Sequence, residues 1–163
     1  MTTMTLRSPA HHVSPRAKAY WTVRALSRWL VLGAIEALLW LTSKHPGDWH
    51  LILAIVTGVL ALIHLIVMPQ WRFRVHRWEA TDTAVYTQSG WFTQERRIAP
   101  VARIQTVDTQ RGPFEQLFKL SNVTVTTASA AGPLKIHGLR REVADALVED
   151  LTVRTQGAGG DGT

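Results

Sequence analysis

Hydrophobic and polar positions split the chain into two halves that follow different rules. From Trp49 to Trp71 it reads WHLILAIVTGVLALIHLIVMPQW, and between Leu51 and Met68 only Thr57 and His64 are neither apolar nor small. At about 1.5 Å per residue, a helix over this stretch spans roughly 33 Å, the thickness of a bilayer's hydrocarbon core. Core helices of soluble proteins are rarely this long and this apolar. Tryptophan closes each end, where an amphipathic ring favours the membrane interface, and Pro69 is expected to terminate the helix. A weaker apolar segment covers residues 20–41. Trp21 to Trp40 would span about 29 Å as a helix, with Arg24 and Arg28 on one face near its start, snorkelling to the headgroups. The alternative, a helix lying in the interface, would strand Ile35 to Leu41 with little polar face to balance them. The pattern predicts a membrane hairpin over residues 20–70, with helices at about 21–41 and 49–69 joined by the turn-rich link Thr42 to Asp48.

Beyond the hairpin the period falls to two. Extended segments are predicted over Arg72 to Thr81, Thr83 to Gln88, Trp91 to Ile98, Ile104 to Gln110, Asn122 to Ala128 and Pro133 to His137. Phe114 to Leu120 follows the breaker Arg111-Gly112-Pro113 and reads as about two helical turns. A helix from about Arg140 to Val153 carries Val143, Leu147, Val148 and Leu151 as one stripe, so it packs on the sheet. Residues 71–154 thus form a soluble domain large enough for one core. Residues 1–19 are polar and hold Pro9 and Pro15, and are expected to be a disordered arm; residues 155–163 (TQGAGGDGT) are expected to be a flexible tail.

The chain lacks cysteine, which removes disulfides and thiol chemistry. Its net charge is +6, with +4 on residues 1–71 (six Lys/Arg against two acids) and +2 on residues 72–163 (twelve against ten). Excess positive charge beside the apolar segments points to topology and anionic lipid rather than to nucleic acid. Arg7, Arg16, Lys18, Arg24 and Arg28 lie on the N-terminal flank, the last two within the first turns of the hairpin, and Arg72, Arg74 and Arg77 follow it, against Lys44 alone in the link. The positive-inside rule then predicts a multi-pass inner-membrane protein with both termini cytoplasmic. The polar start shows no signal-peptide pattern.

Depth along the hairpin singles out further residues. With Trp40 and Trp49 level, Gly33 and Ala37 face Gly58 and Ala54 at similar depth, two small-xxx-small pairs able to form a close crossing. Glu36 sits about 6 Å below the tryptophans and His64 about 22 Å, so they cannot pair. Glu36 reaches only toward His50 or outward. It is either a protonated or snorkelled acid near the interface, or a contact with a partner's helix.

The second half carries a family likeness. The run RIAPVARIQTVD from Arg97 to Asp108 leads into QRGPFEQLFKL from Gln110 to Leu120, then VTVTTA from Val123 to Ala128 and IHGL from Ile136 to Leu139. Over roughly residues 71–153 this resembles the bacterial pleckstrin-homology-like (PH-like) domain of small membrane proteins, in which a pair of membrane helices commonly comes first. The resemblance implies a mostly-β α+β fold of about seven antiparallel strands in two sheets, closed by a C-terminal helix. It implies little chemistry, since one fold hosts many functions. It also implies action through protein contacts, with another membrane protein, such as one carrying several copies of the domain, or with copies of itself. Phosphoinositide-binding members of the fold carry a basic cluster between their first two strands; here that loop is Thr81-Asp82-Thr83, without a base.

Other chemistry is thin. Neither a G-x-S-x-G nor an H-E-x-x-H motif occurs, so no catalytic, cofactor or metal site is assigned. His11-His12 lacks a third ligand nearby. Asp108 and Glu115 flank the Gly-Pro turn without a histidine beside them in sequence. Asn122-Val123-Thr124 matches a glycosylation acceptor, but in a strand expected on the cytoplasmic side. Arg72 and Arg74 would share a face of the strand leaving the membrane and, with Arg77, either hold anionic headgroups or serve as a topology signal. The expected function is a non-enzymatic, membrane-tethered interaction or assembly module. Strand edges and the connection bearing Arg111, Phe114, Glu115 and Phe118 are its candidate docking surface. The alternatives are an anionic-lipid sensor using Arg72, Arg74 and Arg77, or an accessory subunit of a transporter or envelope-stress system that contacts its partner through Glu36.

Overall fold

The two apolar runs become two long antiparallel helices. The computed structural model describes residues 8–44, 47–91, 93–130 and 132–160, and forms α1 at Arg16–Thr42 and α2 at Asp48–Val75. Both are long and apolar enough to cross a membrane, and Leu30, Val31, Leu41, Ile52 and Leu62 stand exposed along them. Such a surface is stable only in an apolar surrounding. Ser43 closes α1 through its backbone N–H to the Leu39 and Trp40 carbonyls, and its hydroxyl lies 3.1 Å from His50 Nε2 of the second helix.

Seven antiparallel strands follow the alternating pattern, in two sheets. One sheet has the order β1 (His11–His12), β2 (Arg77–Ala80), β3 (Ala84–Gly90), β4 (Gln94–Pro100); the other has β5 (Ile104–Gln110), β6 (Leu120–Thr127), β7 (Leu134–Arg140). The short helix α3 (Pro113–Leu117) links β5 to β6, and α4 (Arg141–Gly160) closes the domain. Val85, Ala99, Val123, Val125, Ile136 and Leu139 from the two sheets meet Ala144, Leu147 and Leu151 of α4 in the main core, with Val143 and Val148 beside it. This is the expected PH-like architecture of two sheets plugged by a C-terminal helix.

Several boundaries differ from the sequence reading, each for a packing reason. The arm expected to be disordered is folded wherever it is described: β1 pairs with β2, Val13 and Ser14 are buried, and α1 starts at Arg16. The reading therefore found six strands after the hairpin, while the seventh lies before it. Pro69 does not end α2, which runs on to Val75. The proline removes the N–H that would bond the Leu65 carbonyl. The turns beyond it are held because Phe73 and Val75 pack on the domain. Residues 72–75 are consequently helical rather than extended. Phe114 to Leu120 forms a single helical turn, since Leu120 is buried as the first residue of β6. The segment 155–160 is a helical continuation of α4, not a loose tail; Arg154 holds this end by pairing with Asp150 and with Asp82 of the β2–β3 turn. Residues 1–7 of the arm, His45 and Pro46 of the link and 161–163 of the tail lie outside the described residues.

A second core joins the helices to the domain. Val13, Ala17, Tyr20 and Trp21 are buried with Leu120, against Met68, Phe73, Trp78 and Phe118. Each large side chain so buried contributes roughly 1.5–3 kcal/mol. The fit is tight at Gly138 of β7, where a Cβ would sit 2.9 Å from the Ala17 Cβ, at a backbone φ of +76°. The Gly138 carbonyl accepts from Ser14 N–H at 2.9 Å, and its own N–H donates to Asn122 Oδ1 at 3.0 Å. Gly138→Ala is therefore expected to destabilise the full chain by at least about 1–2 kcal/mol, from left-handed strain alone. That is a drop of several degrees in the unfolding midpoint in detergent; an unchanged midpoint would mean that Gly138 does not hold the left-handed backbone on which Ala17 is seated.

Candidate functional site

The junction between hairpin and domain concentrates the polar side chains that the fold holds in place. Tyr20, on the buried face of α1, donates its hydroxyl to Glu115 Oε1 at 2.8 Å and accepts from Arg24 Nη1 at 2.7 Å. Asn122 donates to the same carboxylate at 3.2 Å. One hydrogen-bonded chain thus runs from α1 through α3 to β6 and β7. Burial alone would raise the Glu115 pKa, but hydrogen bonds from Tyr20, from its own backbone N–H and from Asn122, with the charge of Arg24, together outweigh it and hold the carboxyl below its ordinary range. Phe118 stacks edge-on to Tyr20 at 6.3 Å.

This engagement corrects the expected docking surface. Glu115 and Phe118 face the molecule's own first helix, and Arg111 pairs with Asp145 of α4 and donates to Ser121 Oγ at 3.3 Å. Of the four residues, Phe114 is left open, 43% exposed, and Leu117 beside it is 73% exposed.

The arginine trio also divides. Arg72 lies on the last turns of α2 with its guanidinium over the Trp21 ring at 4.9 Å, while Arg74 is exposed and Arg77 has entered β2. Two helical residues two apart point in opposite directions, so Arg72 and Arg74 share no face. Arg72 instead meets Arg24 and Arg28 of α1 beside a shared cavity. The signal was present in the sequence, since Arg24 and Arg28 are spaced i, i+4 and point one way. What hid the grouping was placing Arg72 in a strand.

Inside the hairpin, Thr57 Oγ1 donates to Glu36 Oε1 at 2.6 Å, and Trp29 Nε1 donates to His64 Nδ1 at 2.9 Å. Glu36 therefore pairs within the hairpin, with Thr57 rather than with His50. Both pairs set α2 about four residues, roughly 6 Å, further along than level tryptophans would put it. That shift separates the small residues: Gly33 comes near the level of Leu60, and Gly58 near that of Ile35. Gly33 and Gly58 have open space where a Cβ would stand, and with Ala37 and Ala54 they line a cleft of about 420 Å³ rather than a close crossing. Among the described residues no group of three metal-ligating side chains converges. His11 packs on Trp78 and His12 stacks on Phe73, which gives the pair a structural role.

Residues 25–154 match the family described as Bacterial PH domain. The chain belongs to that family. The matched stretch takes in most of the hairpin as well as the PH-like domain. The chain is also similar to the UPF0699 transmembrane protein YdbS of Bacillus subtilis (strain 168), 28% identical over 153 residues that cover 88% of this chain and 91% of that one. No solved structure matches it. The family is that of a PH-like module in transmembrane proteins, not of a known enzyme.

In this bacterial PH domain the loop between the first two strands after the hairpin is closed by charge, because Asp82 is paired with Arg154. The distinctive titratable group lies at the other side, where α2 meets β2. His76 is 4% exposed and its Nδ1–H donates to the Arg72 carbonyl at 2.8 Å. Burial, then the charge of Arg72, push its pKa down to about 4. His137, half-buried nearby, is lowered by the same two causes. A base whose pKa is lower when folded loses stability as pH falls, because the unfolded chain binds the proton first. The window runs from about 6.5, the unfolded value, down to about 4, and the loss is on the order of 3 kcal/mol at its acid end. Stability of the full chain in detergent should fall through that window, and His76→Asn, which keeps a donor for the Arg72 carbonyl, should flatten the decline. An identical decline in the variant would move the cause away from His76.

Proposed function

We propose that this protein is a non-enzymatic, membrane-anchored interaction module that holds a PH-like domain in a fixed pose at the cytoplasmic face of the inner membrane. The observation that carries the reading is the second core, in which Val13, Ala17, Tyr20 and Trp21 pack with Leu120. A domain merely leashed to a membrane can turn freely, whereas one sharing a core with its anchor presents the same surfaces to every neighbour in the bilayer. Confinement to the membrane then removes part of the entropic cost of meeting another membrane protein.

The surface that supports docking best is the edge of β5, which pairs only with β6. Of the other edge strands, β1 is two residues long, β7 receives the segment before α1 through the Ser14 N–H, and β4 carries Glu95, Arg96 and Arg97, with Arg97 tied to the Pro133 and Gly132 carbonyls, the kind of charge that blocks edge pairing. β5 holds Gln105, Thr106, Asp108, Thr109 and Gln110, a largely uncharged and exposed row with unpaired backbone groups facing outward. An added strand from a partner membrane protein or a second copy would satisfy those groups. The apolar pair Phe114 and Leu117 continues the surface toward the helices.

A photo-reactive residue at Thr109 or Leu117 in the full-length protein is expected to capture one discrete membrane protein, or a second copy, in native membranes. The same residue at Glu149, on the exposed face of α4, is expected to capture neither. Equal capture from all three positions, or from none, would remove the assignment. Topology is tested separately: a reporter fused after Thr163 should be active only in the cytoplasm, as the Lys/Arg bias around the hairpin requires.

A further inference from the structure

Between the domain-side ends of α1 and α2 and the tip of the β3–β4 hairpin lies a second cavity, of about 400 Å³. Arg24 and Arg28 reach it from α1 and Arg72 from α2, with Trp21, His64 and Trp91 among its walls. The tip is held there by Trp71, whose Nε1–H donates to the Trp91 carbonyl at 2.8 Å, and by an edge contact between the His64 and Trp91 rings at 5.9 Å. Three elements distant in sequence therefore build one concave, positively charged site.

Its charge is not balanced from within. Arg24 gives a hydrogen bond to the Tyr20 hydroxyl and senses Glu115 only beyond it. Arg72 is stacked on Trp21 and feels the like charges of Arg24 and Arg28. No carboxylate pairs with any of the three among the described residues. Converging unpaired guanidinium groups at the edge of an apolar region are costly unless an anion joins them. A topology signal explains an excess of arginine on this side of the hairpin. It does not explain why arginines from two helices converge on one cavity roofed by a strand hairpin.

Depth identifies the anion. With the four-residue offset included and Trp49 as the common origin, Arg28 lies about 24 Å, Arg24 about 30 Å and Arg72 about 34 Å toward the domain. For a hydrocarbon core of about 30 Å, the cavity straddles the boundary where lipid phosphates sit. We propose that it binds the phosphate of an anionic phospholipid, with the guanidinium groups as donors and Trp21 and Trp91 flanking the glycerol. The volume is in the range of small-ligand sites and exceeds what a bare anion fills. A soluble phosphate entering from the domain side would use the same donors. The proposal is independent of what meets the β5 edge.

The test uses the full-length protein in neutral detergent, probed with phosphatidylglycerol, with phosphatidylcholine, or with inorganic phosphate, and read by native mass spectrometry and thermal unfolding. One retained phosphatidylglycerol per chain and a raised midpoint are expected, with little effect of phosphatidylcholine. Arg28→Gln should weaken retention about tenfold, as loss of one charge-assisted contact implies. It is the conservative variant, because Arg28 is exposed on α1; Arg28→Gln with Arg72→Gln should abolish retention. The pair Arg74→Gln and Arg77→Gln, which removes equal charge elsewhere, should leave retention intact. Stabilisation by inorganic phosphate that depends on Arg28, without lipid retention, would keep the phosphate site but assign it to a soluble anion. Lipid binding that survives loss of Arg28 and Arg72, or falls equally in the Arg74/Arg77 variant, would overturn the site.

Discussion

Ala17 rests against Gly138 with no room for a further methyl group, and the rest of the molecule is arranged around that contact. The first helix begins inside the domain, and the second ends as β2 begins, with Val75 and His76 buried at the handover. Neither passage contains a run of glycine, serine or proline that could act as a swivel. The hairpin and the domain are therefore two parts of one folded unit, and the buried polar groups at their junction are consequences of it. Tyr20 needs a partner once its ring is buried, and Glu115 supplies it. Asn122 then satisfies Glu115 on one side and the backbone N–H of Gly138 on the other.

The hairpin shows how little polarity is needed to set the register of two apolar helices. Side-chain packing alone lets such helices slide, because every register buries much the same surface. Two hydrogen bonds, Glu36 with Thr57 and Trp29 with His64, agree on a single offset. An unpaired acid or indole N–H in hydrocarbon carries a penalty of its own, so the pairs discriminate against other registers. The accompanying cleft goes with that offset, since neither glycine is level with a small residue of the opposite helix and nothing fills the space beside Gly33 or Gly58.

Much of this was legible in the residues. Uninterrupted apolar runs announced the two helices, and alternation with turn residues announced most strands, because these patterns depend on near neighbours alone. The stripe Val143, Leu147, Val148 and Leu151 announced α4 for the same reason. What could not be read depended on contacts between distant segments. The polar stretch before α1 has a disordered composition, yet Val13 is buried because the cluster that includes Leu120 of β6 and Trp78 of β2 receives it. Pro69 looks like a terminator until Phe73 and Val75 find the domain. Arg72 reads as a strand residue until that extra turn carries it round to Trp21, and only then do the arginines of two helices form one site. The docking residues were misjudged likewise: Arg111, Glu115 and Phe118 look like an exposed connection, but their partners lie on α1, β6 and α4.

The pairing of β1 with β2 has a consequence for how the chain is made. His11 and His12 are synthesised early, but the strand they pair with does not exist until both long helices have been produced. The earlier segment must wait while some sixty residues of helix and turn are made, and β1 can pair only when Arg77 and Trp78 emerge to meet it. The same dependence means that a fragment beginning at β2 would start life with an uncovered sheet edge and a hole where Val13, Ala17, Tyr20 and Trp21 belong. Pairing of the two long helices and folding of the domain are thus steps of one process, and an error in the first would be felt in the sheet.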